Sequence, residues 1–128
     1  MVIEMKFYEC PKCGNIVEIL DEQTANLNCC DENMVLMTAN IKDAAKEKHI
    51  PEIQKNDNII NISVGSIIHP MEENHYIKWI YILTNKRNIR YNLQPGENPS
   101  TKLTLEPQET ILEVYAYCNN HGLWLNNK

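Results

Sequence analysis

Apolar positions in most of this chain recur with a period of two, which predicts strands rather than helices. Ile60, Ile62 and Val64 alternate with polar or small neighbours. Residues 75–84, HYIKWIYILT, are rich in aromatic and β-branched side chains. Strict alternation there puts Ile77, Trp79, Tyr81 and Leu83 on one face and Tyr76, Lys78, Ile80 and Ile82 on the other. Further strands are predicted over residues 89–93, 101–105 and 110–117. Turn clusters separate them: Asn56-Asp57-Asn58, residues 85–88, and residues 94–100 with Pro95-Gly96. This spacing predicts an antiparallel sandwich, with an immunoglobulin-like arrangement as a candidate. No stretch has the pattern of a long amphipathic helix.

Residues 1–37 read differently, as short strands and tight turns. Lys6–Tyr8 leads into a first cysteine pair, and residues 15–20 and 34–37 are short apolar runs. A polar stretch, TANIKDAAKEK over residues 38–48, separates the two regions, with one helical turn expected around residues 43–46. The predicted organisation is a small module, 1–37, followed by a larger β domain, 38–128. The larger part is long enough to bury a core. A module of 37 residues is not, and typically needs a metal or disulfides.

Composition narrows the function. The net charge of -5 argues against general nucleic-acid binding, which needs a basic footprint. No apolar run reaches the length of a membrane span, and the N-terminus lacks the pattern of a signal peptide. A cytoplasmic location is expected, where thiols stay reduced. That shifts the reading of the five cysteines from disulfides toward metal binding or redox chemistry.

Four of those cysteines, Cys10, Cys13, Cys29 and Cys30, lie in the small module. CPKCG is a metal knuckle: two residues between thiolates let the loop fold back on one ion, and Gly14 is expected to relieve crowding where amides turn toward sulfur. The adjacent pair is unusual. Both sulfurs must bend toward the same ion, which should widen one sulfur–metal–sulfur angle. Four thiolates suit zinc and iron equally, so spacing leaves the metal open.

All four histidines lie in the larger domain, with the fifth cysteine. His49 and His69 stand next to or just before a proline, His75 opens the aromatic strand, and Cys118 and His121 form C-x2-H at a strand end. A lone histidine is usually an ordinary surface or core residue, and these spacings fit no common zinc pattern. Two of the histidines with the cysteine would also match a blue-copper set.

Five segments in order carry a resemblance. They are EKHIP (47–51), VGS leading to HPM (64–71), HYI with Trp79-Ile80, Pro95-Gly96, and YCNNHGLW (117–124). With CPKCGN and Cys29-Cys30 before them, the chain resembles the desulfoferrodoxins, the two-iron superoxide reductases, over nearly its whole length. The resemblance implies a desulforedoxin-like module and an immunoglobulin-like β-sandwich. It implies two non-haem irons, one held by Cys10, Cys13, Cys29 and Cys30. The second would have His49, His69, His75 and His121 in a square plane, Cys118 as axial ligand, and an open sixth position.

The implied activity is reduction of superoxide to hydrogen peroxide, with a rubredoxin-like electron donor and a homodimeric assembly. Lys48 is implied to steer superoxide and organise a proton-donating water, and Glu47 to occupy the sixth position in the oxidised resting state. Without the resemblance, both would read as part of a solvated charge run. Trp79, Trp124 and the tyrosines are assigned to core and rim. A superoxide dismutase and a non-enzymatic redox protein with two closed sites are the competing readings. The run Cys30-Asp31-Glu32 departs from the family, which usually has glycine after the cysteine pair.

Overall fold

The computed structural model describes residues 5–23, 26–42, 49–65 and 69–126. The expected helical turn at 43–46, and with it Glu47 and Lys48, lies outside the described residues. Among the described residues there is no helix, and none is long and apolar enough to cross a membrane. The chain divides into two compact units, Met1–Thr38 and Ala39–Lys128.

In the first unit, β1 (Lys6–Glu9) is the centre of a three-stranded sheet, flanked by β2 (Ile16–Ile19) and, later in the chain, β5 (Val35–Leu36). Between them a hairpin pairs β3 (Asn28–Cys29) with β4 (Glu32–Asn33). The buried apolar side chains of this unit are few among the described residues: Phe7, Tyr8 and Cys10. Val17, Leu20, Val35 and Leu36 remain exposed. That is too little apolar burial to hold a fold of this length without another source of stability.

The second unit is a β-sandwich. One sheet has the order β10-β7-β6, from Ser100–Thr104, Ile59–Val64 and Pro51–Asn56. The other has the order β12-β11-β8-β9, from Gly122–Asn126, Ile111–Cys118, Ile77–Thr84 and Asn88–Asn92. Among the described residues every pairing between these strands is antiparallel, and seven strands in sheets of three and four match the strand count of an immunoglobulin constant-type domain. The Asn56-Asp57-Asn58 cluster closes the β6–β7 hairpin, with Asp57 in the left-handed region at φ 57.

The core lies between the sheets. It is built from Ile60, Ile62 and Val64 of β7, Ile77, Ile80 and Ile82 of β8, Leu103 of β10, and Val114, Ala116 and Cys118 of β11. Cys118 is therefore the last inward position of its strand, two residues beyond Ala116 and four beyond Val114. Ile77 belongs to this inner row and not to the face of Trp79, Tyr81 and Leu83 that alternation predicts. The reason is a bulge. Tyr117 pairs with Trp79 and Cys118 with Ile77, so Lys78 is an extra residue on β8 and reverses the phase of the strand. Lys78 is exposed. On the other face Trp79 stacks on Tyr117, and Tyr81 meets Tyr115 edge to face.

Candidate metal centres

The first cluster is built by one knuckle and one hairpin. The backbone N–H of Gly14 donates to the Cys10 carbonyl at 3.0 Å, and that of Cys13 to Cys10 Sγ at 3.4 Å. Gly14 sits at φ 80, and a Cβ added there would meet nothing within 4 Å. Its left-handed backbone, not relief of crowding, is what calls for glycine.

The adjacent cysteines are explained by the turn they occupy. Cys29 pairs with Glu32, leaving a two-residue loop, Cys30-Asp31, with φ values of 54 and 61. Two left-handed residues are the signature of a type I′ hairpin turn. The tight reversal brings Cys29, at the strand end, and Cys30, in the loop, to one side. Their sulfurs lie 3.9 Å apart, and Cys13 and Cys29 sulfurs 3.6 Å apart. A tetrahedron with metal–sulfur bonds near 2.3 Å has edges of about 3.8 Å. The longer of the two edges is the one between the adjacent cysteines, in the direction a widened angle requires. All four cysteines are free, with no disulfide among them.

The electrostatics of this cluster fit a cation. The Cys13 backbone N–H lowers Cys10 to about 6. Cys29 is pushed up to about 12 by its interactions with Cys10 and then Cys13, and Cys30 is raised by Cys13. Cys10 is favoured as the thiolate while Cys29 and Cys30 are disfavoured, and a bound metal ion would supply the positive charge that lets the set bind as thiolates.

The second cluster gathers His49, His69, His75, Cys118 and His121, with one donor atom from each lying within 4.8 Å of all the others. His49 precedes β6, His69 follows β7, His75 precedes β8, Cys118 ends β11, and His121 lies in the β11–β12 turn. The four rings form a closed circuit. Centroids are 4.6 Å apart from His49 to His69, 4.8 Å from His69 to His75, 5.0 Å from His75 to His121 and 4.9 Å from His121 back to His49. Neighbouring rings meet at 62° to 85°. Cys118 Sγ lies 3.5 Å from His69 Nε2 and 3.8 Å from His121 Nδ1. His69 and His121 are opposite corners of the circuit, so the sulfur sits near its axis and not along a side. His49 Nε2 and His121 Nδ1 are 3.2 Å apart, against about 3.0 Å for two nitrogens bound at right angles to one ion at about 2.1 Å.

Local structure orients several of these groups. His69 Nδ1 is 2.7 Å from the Pro70 carbonyl, which holds the Nδ1–H tautomer and leaves Nε2 facing the sulfur. Glu72 and His75 exchange backbone hydrogen bonds of 2.9 and 3.0 Å, closing a tight loop. Asn119 clamps that loop: its Oδ1 accepts from the Tyr76 N–H at 2.9 Å, and its Nδ2 donates to the Asn74 carbonyl at 3.2 Å. Gly122, at φ 85, allows the chain to turn directly after His121 and re-pair with Cys118. His49, His69 and Cys118 are buried, His75 is partly buried, and His121 is exposed, so solvent reaches the cluster from the His121 side.

All nine residues singled out from the sequence as metal ligands thus fall into two compact groups. Asn119 was not singled out, and Trp124, assigned to core and rim, lies buried against His49. Both stand inside the YCNNHGLW segment, which was the available signal.

Comparison with known proteins matches two segments of the chain. Residues 41–127 match the desulfoferrodoxin family model, and residues 3–37 match the model of the desulfoferrodoxin N-terminal domain. A desulfoferrodoxin of Syntrophotalea carbinolica is 44% identical over 124 residues, covering 97% of each chain. One from Desulfarculus baarsii is 42% identical over 120 residues, covering 94% of each. The crystal structure of the superoxide reductase from Treponema pallidum superposes with a TM-score of 0.77 at 29% identity, covering 96% of this chain and 97% of that one. With both of its units matched and relatives above 40% identity along almost its full length, the chain belongs to the desulfoferrodoxin family.

Proposed function

We propose that this protein is a superoxide reductase: superoxide, one electron and two protons give hydrogen peroxide. The observation that carries the reading is the circuit of four imidazoles with the Cys118 sulfur near its axis. Relatives and structural neighbours bearing the name superoxide reductase support it. In this reading His49, His69, His75, His121 and Cys118 hold a catalytic iron, and Cys10, Cys13, Cys29 and Cys30 hold a second. Bound Fe(II) would supply the electron and a point of attachment for the anion.

The chain's own residues do the rest. Cys118, buried at the end of the core, keeps its sulfur away from solvent. Burial of His49 and His69 shields their rings from water. Residues 1–38 contain seven acidic and two basic side chains, so the whole charge of -5 resides there, and residues 39–128 are balanced. An anionic substrate therefore meets no net repulsion from the unit that would reduce it. Lys48, adjacent in sequence to His49, steers superoxide and organises a proton-donating water. Glu47 would act as the carboxylate that takes the place of product after turnover. An external donor of the rubredoxin kind would supply the electron for each turnover, in a cytoplasmic homodimer.

Metal analysis with an optical spectrum tests the reading. Two irons per chain are expected, with Cys118→Ser losing the oxidised chromophore of the histidine set and the activity. Zinc at the histidine set, or full activity in Cys118→Ser, would overturn it.

A further inference from the structure

We infer that Trp124 is a positioning residue for the histidine-bound metal, coupling His49 to His121 through its indole ring. The inference rests on the metal-site reading above and concerns how two ligands from distant parts of the chain are held in register. His49 and His121 are 72 positions apart, yet their ring nitrogens lie 3.2 Å from each other. Trp124 touches both residues. Its ring stacks on His49 with centroids 4.5 Å apart and planes within 13°. Its Nε1–H donates to the His121 carbonyl at 3.1 Å.

The stack and the hydrogen bond act on different freedoms. A near-parallel indole on one face of the His49 ring opposes rotation of that ring about its side-chain bonds. His69 and His121 approach the same ring at steep angles, 62° and 69°. The bond to the His121 carbonyl fixes the backbone of the β11–β12 turn instead. Because one rigid bicycle makes both contacts, a shift of the turn moves His49 as well.

The surroundings make the arrangement stiff. Trp124 is 8% exposed, so the stack excludes water. Across the sheet its partner is Ala116, on the inward side of β11, whose small side chain leaves room for the indole. On the neighbouring backbone, Asn40 bridges β12 by accepting from Leu125 N–H at 2.9 Å and donating to the Leu123 carbonyl at 2.9 Å. The backbone that carries Trp124 is thus bonded on both sides. A ligand set held this way needs little rearrangement to bind its ion. Groups that orient ligands from outside the ligand set typically alter metal affinity by about 10- to 100-fold when removed.

The test compares iron retention in the full-length protein carrying both metals. Fe(II) transfer to a competing chelator is followed separately for the histidine and four-cysteine centres by their spectra, with the melting temperature of each apoprotein. Trp124→Leu removes both contacts and should weaken retention at the histidine centre by about 10-fold or more. Trp124→Phe keeps an aromatic face and loses the N–H donor, and should weaken it by about 2- to 10-fold. Trp79→Leu removes an indole of the same sheet that stacks on Tyr117 and not on a histidine, and should leave retention unchanged. Retention at the four-cysteine centre should not move in any variant.

Wild-type retention in Trp124→Leu would overturn the inference, and so would equal losses in Trp124→Leu and Trp79→Leu. Should Trp124→Leu fail to fold, wild-type retention in Trp124→Phe would overturn it. A wild-type protein that binds no metal through its histidines would be a different failure, that of the metal-site reading itself.

Discussion

Replacing Asn119 by alanine isolates the contribution of one side chain to the geometry around His75. The side chain makes two hydrogen bonds, from Tyr76 N–H at 2.9 Å and to the Asn74 carbonyl at 3.2 Å. The backbone bond from Asn119 N–H to the Tyr76 carbonyl, at 3.2 Å, survives the substitution. A net contribution of about 0.5–1.5 kcal/mol per bond sets an upper limit near 3 kcal/mol for the pair. Asn119 is exposed, so water replaces part of what is lost, and about 1 kcal/mol is expected. The loop that carries His75 keeps its own Glu72–His75 bonds and the backbone bond to Asn119 but loses its two side-chain ties to the residue after Cys118. If metal binding must restore that register, about 1 kcal/mol corresponds to roughly fivefold weaker retention. Denaturant unfolding of the apoprotein measures the first quantity, and competition with a chelator measures the second. Lower stability with unchanged retention would refute the link between the clamp and the metal, and no change in either would refute the clamp.

Three other perturbations follow from the structure. Asp31→Gly places glycine at a left-handed turn position, φ 61, and should stabilise the first unit by up to about 1 kcal/mol in denaturant unfolding, whereas a less stable variant would contradict the turn assignment. Glu109 is held well below the ordinary 4.5, at about 2, by hydrogen bonds from the Arg87 guanidinium first and also from Glu106 N–H and Thr84. Because the folded state favours the carboxylate, this stabilisation is full above about 4.5 and is lost as pH falls through about 2. Glu109→Gln should therefore be less stable at neutral pH and lose less between those pH values, and melting curves that fall in parallel for both proteins would contradict it. Stripping metal from the four-cysteine centre should unfold the first unit while the β-sandwich stays folded, since Phe7, Tyr8 and Cys10 are all the buried apolar side chains described there. Amide exchange by region checks this, and unchanged protection across residues 5–38 would count against a metal staple.

What could be read from the sequence was whatever depends on near neighbours. The Cys10–Cys13 knuckle is local, so its two-residue spacing carried its geometry. The strands in the sandwich core were visible because one face is buried and the alternation is clean. β6 was not, because Pro51–Asn56 has a single Ile among polar residues and is largely exposed. β12 is short and lies within a segment that reads first as a ligand motif. Alternation places Ile77 on the wrong face of β8, since a bulge is a property of two paired strands and not of one. The histidine cluster was hidden for the same reason. Its members come from separate loops and strand ends, and only the sandwich brings them together. Family resemblance supplied what spacing could not. The adjacent cysteines, unusual as a spacing, became ordinary once the Cys30-Asp31 turn was known.

The most direct test of the account is the yield of hydrogen peroxide per superoxide consumed by the two-iron protein, with a reduced rubredoxin-type donor in excess and oxygen measured in parallel. A reductase gives one peroxide for each superoxide, consumes one electron from the donor, and releases no oxygen. Half that yield, with oxygen produced and the donor untouched, would make the protein a dismutase and contradict the account.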